Sequence, residues 1–142
     1  MTLVEDRTQQ DRSPEVAGTP VLDARAWLGS WISGRRAVGV AAAWFVLYSA
    51  AAAVEPPTHH EEPFIAEVIA FALLGVMVVM AFGLLATQRW GLVASLGAAT
   101  LLVAASVACP TTGHHPIGAW WFAQMACAFA LVGVSVAALR RA

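Results

Sequence analysis

The chain has 142 residues, of which 59% are hydrophobic and only 12% charged, with a net charge of −1. That balance excludes an ordinary soluble fold, and the length leaves room for one domain. Four apolar runs of about 18 residues or more, Ala37–Val54, Phe64–Thr87, Gly91–Ala108 and Ile117–Leu139, have the length a helix needs to cross a bilayer. They show no alternation of apolar and polar residues, so helices rather than barrel strands are expected. The fold class is thus all-α, an integral membrane bundle of four transmembrane helices.

In chain order, residues 1–20 are polar, hold Pro14 and Pro20, and have too little apolar content to bury a core. They read as a disordered cytoplasmic tail. Over residues 21–34 the pattern changes: Val21, Trp27, Leu28, Trp31 and Ile32 recur at helical spacing beside Asp23 and Arg25. This is the pattern of a short amphipathic helix on the inner leaflet, with Trp27 and Trp31 in the headgroup layer and Ser33-Gly34 breaking it before the first span. Residues 35–142 form the four-span domain. Arg35-Arg36 ahead of an apolar run also has the look of a twin-arginine export signal, but three further spans follow, and a retained first span is expected.

The first span leads into Glu55-Pro56-Pro57-Thr58-His59-His60-Glu61-Glu62-Pro63. Glu67 follows one turn into the second span and is the only acidic residue inside a run. A carboxylate in a span marks a site by default, here as a partner of the histidine cluster above it, yet at the first turn it also complements the helix dipole, and capping is the favoured role. Met77 and Met80 lie on different faces from Glu67 and read as core packing. Trp90 opens the third span at the inner turn. That span ends in Cys109-Pro110-Thr111-Thr112-Gly113-His114-His115-Pro116. In the fourth span, Trp120 and Trp121 occupy the position of an aromatic belt, Gln124 lies one turn deeper, and Cys127 lies near the middle. Gln124 is placed to hydrogen-bond across the bundle, toward Glu67 if the two helices face each other, or to satisfy a neighbouring hydroxyl. Small residues spaced four or eight apart, Gly39 and Ala43, Gly75 and Gly83, Gly91, Ser95 and Ala99, and Gly133 and Ala137, are expected to let the helices pack closely, or to offer a face to a partner.

The chain contains no lysine, and none of its arginines, at 7, 12, 25, 35, 36, 89, 140 and 141, lies in either histidine-bearing loop. The positive-inside rule therefore sets both termini in the cytoplasm and both of those loops outside. The alanine-, valine- and arginine-rich composition points to a bacterial plasma membrane.

All four histidines, His59, His60, His114 and His115, thus fall on one face, in loops stiffened by proline. Imidazole with carboxylate or thiolate suits Zn²⁺ or Cu²⁺, so one His of each pair with Glu61, Glu62 or Cys109 makes a candidate metal site. The plain alternative is a solvated polar cap, and a further one is pH sensing by the same imidazoles. Haem would need histidines inside the spans, and there are none. No nucleophile–base pair or cofactor fingerprint is recognisable, so an enzyme is not the expectation. Three readings stand: a membrane protein with an extracytoplasmic metal cluster, a non-catalytic accessory subunit of a larger membrane complex, and a dimeric proton- or ion-coupled transporter using Glu67. The expected partners are the lipid bilayer and other membrane subunits or a second copy; none is a nucleic acid.

Overall fold

The computed structural model describes residues 24–56, 64–111 and 117–142. Within them lie a short helix α1 (Ala24–Leu28) and four long ones, α2 (Gly34–Ala53), α3 (Phe64–Leu85), α4 (Arg89–Thr111) and α5 (Ala119–Arg140). The long four have the length and apolarity to cross a membrane. Large apolar side chains point outward along them, with Phe45 77%, Phe71 73% and Leu85 82% exposed. A surface so continuously apolar is stable against lipid and not against water.

The helices run up and down in sequence order. α3 lies along α4, α4 along α5 and α5 along α2, while α2 and α3 touch only lightly. A thin core runs through the ring: Val40 and Trp44 from α2, Met80 and Leu84 from α3, Leu92, Ala98 and Ala99 from α4, and Ala128 and Leu131 from α5. Met77 packs against it, as its sequence position implies.

Helix ends differ from the apolar runs by a few residues, because a run stops at the first charge and a helix does not. α2 starts at Gly34 and takes Arg35 and Arg36 into its first turn, so Gly34 opens the span rather than breaking the chain before it. The small-residue pattern is corrected more substantially. A Cβ placed on Gly39, Gly75 or Gly133 would have nothing within 4 Å. These three glycines face away from the bundle. Close packing is concentrated at one place instead, where Gly83 of α3 meets Gly91 of α4 so tightly that a Cβ on Gly83 would lie 2.4 Å from the Gly91 Cα.

That contact sits beside the α3–α4 turn, at what we call the turn end of the bundle. α3 closes in a Schellman motif: Gln88 N–H donates to the Gly83 carbonyl (2.9 Å), Thr87 N–H to that of Leu84 (3.0 Å), and Thr87 takes the left-handed conformation at φ 53°. Residues 30–32 lie against this turn. Ile32 N–H donates to the Thr87 carbonyl (2.8 Å) and Arg89 N–H to that of Ser30 (3.1 Å), the latter satisfying a donor that the start of α4 would otherwise leave open. The Arg89 guanidinium stands 5.2 Å from the Trp27 ring and donates to the main-chain oxygen of Ala142. One arginine thereby links α1, the turn and the segment after α5.

At the opposite, distal end α4 continues through Pro110 to Thr111, although proline there reads in sequence as the start of a loop. Proline has no N–H for the carbonyl four residues back. That carbonyl belongs to Ser106, and the Trp121 indole N–H of α5 donates to it at 2.8 Å. Trp121 is therefore more than a belt residue. Trp121→Phe is expected to lower stability by about 1 kcal/mol through the lost bond. Pro110→Ala, which restores the missing donor, should remove most of that cost; an undiminished loss in the double variant, measured by reversible unfolding in mixed micelles, would refute the compensation.

Candidate functional site: a cavity at the distal end

Where α2 and α3 separate, near the distal end, the structure holds a cavity of about 230 Å³. Its residues fall on helical faces. Tyr48, Ala51 and Ala52 form an i, i+3, i+4 stripe on α2 with Glu55 just past its end, Ile65, Ile69 and Leu73 a matching stripe on α3, and Leu102, Ala105 and Cys109 the wall from α4. Gln124 comes from α5. At 1.5 Å rise per residue, Leu73 and Leu102 lie roughly 13 Å from the distal helix ends, so the cavity reaches nearly to mid-membrane. Its deep part is aliphatic. Glu55, Cys109, Tyr48 and Gln124 supply the polar groups, and Glu55 and Tyr48 are exposed.

Gln124 is 7% exposed, and its Oε1 has no hydrogen-bond partner. A buried amide oxygen left unpaired costs about 1–3 kcal/mol. The sequence expectation that Gln124 makes a polar contact inside the bundle meets only half its answer: the side chain is interior, but Glu67 is not its partner. Glu67 is exposed on the first turn of α3 and does not line the cavity.

Of the candidate metal ligands, Cys109 lies on the cavity wall and is not in a disulfide; nor is Cys127. His59, His60, Glu61, Glu62, His114 and His115 lie outside the described residues. Among the described residues no three His, Cys, Asp or Glu side chains come together as a metal site.

A second polar feature, absent from the sequence reading, crosses the bundle nearer the turn end. The Trp44 indole N–H of α2 donates to Ser95 Oγ of α4 (2.8 Å). Ser95 and Ser135 hydroxyls are 2.7 Å apart, and Ser135 Oγ donates to the Leu131 carbonyl of its own helix (2.8 Å). Since the Ser135 proton is committed to Leu131, Ser95 is the donor between the two serines. The relay Trp44 to Ser95 to Ser135 to Leu131 leaves no member unpaired, in contrast to Gln124. It reads as structure, and the orphaned amide reads as a site.

Compared with protein-family models, with curated proteins and with solved structures, the chain matches none.

Proposed function

We propose that this protein is a multi-pass protein of the bacterial plasma membrane, with both termini in the cytoplasm, whose extracytoplasmic end binds a transition-metal ion. Zn²⁺ or Cu²⁺ would be held by imidazoles from His59 or His60 and from His114 or His115, with Glu61, Glu62 or Cys109 completing the donors. The orientation rests on the arginines, and the metal reading on one observation. Cys109, the member of the ligand set that falls among the described residues, lines the distal cavity together with Glu55, at the end of the bundle from which segments 57–63 and 112–116 spring.

Purified protein loaded with Zn²⁺ or Cu²⁺ and desalted is expected to retain about one ion per chain. A variant with His59, His60, His114 and His115 replaced by Ala should retain none. Equal metal content in the two by elemental analysis would end this reading.

A second reading, packing against another membrane subunit or a second copy, is favoured by the outward-facing glycines at 39, 75 and 133, since small residues on the lipid face let a partner helix approach closely. The same preparation in mild detergent reads it: a partner or a second copy migrates with the protein, and migration as a lone monomer excludes it. Proton-coupled transport through Glu67 draws the least support, because that carboxylate lies off the cavity.

A further inference from the structure

We propose that the distal cavity binds a lipophilic organic cation, an apolar body of roughly ten heavy atoms carrying a protonated amine. The inference stands apart from the metal reading, since it uses Glu55, Gln124, Tyr48 and the aliphatic walls, and none of the histidines.

Size comes first. A dry apolar cavity of about 150 Å³ takes benzene, and this one, at about 230 Å³, has room for a ring with a short chain. Shape agrees, since the aliphatic stretch formed by Ile69, Leu73 and Leu102 lies deep and the polar groups cluster toward the distal end.

Charge decides the head group. Glu55 brings a carboxylate to the cavity, and Glu67 lies at the same end of α3. The sequence holds no arginine or lysine between Arg36 and Arg89, or between Arg89 and Arg140, so no cationic side chain of either type offsets them there. An anion would be repelled. A neutral acyl chain would fill the volume but leave the Gln124 Oε1 as unpaired as it is now. An ammonium answers both demands. It faces the Glu55 carboxylate and donates an N–H to Gln124, whose carboxamide turns about its broad terminal torsion to present Oε1 to the cavity. The exposed Tyr48 ring adds an aromatic face for the same charge. Access is lateral, through the seam where α2 and α3 touch only lightly, so a membrane-dissolved amine reaches the cavity without passing through the bundle core.

The test uses the full chain in nanodiscs of neutral lipid, with a chelator present so that bound metal plays no part, and three probes of similar size: 4-phenylbutylammonium, 4-phenylbutanol and 4-phenylbutyrate. Calorimetric titration is expected to show saturable binding of the ammonium above the partitioning into empty discs, weaker binding of the alcohol and none of the carboxylate. Glu55→Gln and Gln124→Leu should each weaken ammonium binding about tenfold, the scale of a lost charge-assisted hydrogen bond. Ala105→Leu, which fills the cavity and leaves every polar group in place, should abolish it, and it decides the matter should Gln124→Leu fail to fold. The proposal is overturned if ammonium uptake follows partitioning alone. It is equally overturned if the alcohol or the carboxylate binds as well as the ammonium, or if Glu55→Gln and Ala105→Leu bind like wild type.

Discussion

Gly91→Ala is expected to lower the stability of the bundle by about 3 kcal/mol, the upper part of the usual range for overpacking a tight contact. The added methyl would stand 2.5 Å from the Gly83 carbonyl carbon and 2.6 Å from the Leu84 nitrogen. Both are backbone atoms of a neighbouring helix, so no side chain can swing aside, and α3 must move bodily away from α4. Because the Gly83 and Leu84 carbonyls also close α3 at the turn, that movement strains the Schellman motif and the pairing with residues 30–32. Gly133→Ala is the matched control. Nothing lies within 4 Å of that position, and alanine gains up to about 1 kcal/mol of helix propensity over glycine. Reversible unfolding of both variants in mixed micelles checks the contrast, and equal stabilities would mean that the Gly83–Gly91 contact is not the tight point of the fold.

Ser95→Ala should cost about 1–2 kcal/mol, toward the upper end of what interhelical hydrogen bonds contribute in membranes. The substitution leaves the Trp44 indole N–H buried without an acceptor and takes the donor from Ser135, so two contacts fail together. A double-mutant cycle separates this from a general packing defect. In a Trp44→Phe background no indole remains to be orphaned, and Ser95→Ala should then cost clearly less. Strictly additive losses in the cycle would show that the relay contributes nothing beyond the volume of its members.

The four helices are legible from the sequence because hydrocarbon imposes one requirement, about 20 apolar residues, that no other fold element meets. Direction is harder. Gly39, Gly83, Gly91 and Gly133 look alike in the sequence, yet two face a neighbouring backbone and two face outward, and only the partner helix makes the difference. Pro110 was hidden for a related reason, since its place in a helix depends on a donor 11 residues away, Trp121, that local rules do not see. Of the cavity, Cys109 and Gln124 could be singled out by residue type. Tyr48 could have been found by its i, i+3, i+4 spacing with Ala51 and Ala52, a stripe that an alanine-rich helix makes inconspicuous, whereas Glu55 lies past the end of α2. The Trp44–Ser95–Ser135 relay left no signal, because serine and tryptophan are both ordinary residues of membrane helices.

The neighbour relations of α2 also set a timetable for assembly. Of the four long helices α2 is synthesised first, and its main companion is α5, synthesised last. Until α4 and α5 arrive, the Trp44 N–H has neither Ser95 nor the ordered relay behind it, and α2 waits in lipid with its interior face unpaired. The strap from residues 30–32 to 87–89 needs no part of α5. It can form once the α3–α4 turn exists, before α5 is made, and it holds the start of α2 beside the hairpin it will later enclose. Ring closure then falls to a helix arriving at a prearranged gap, so the longest sequence separation in the bundle is bridged at the end, when the loss of chain freedom is least.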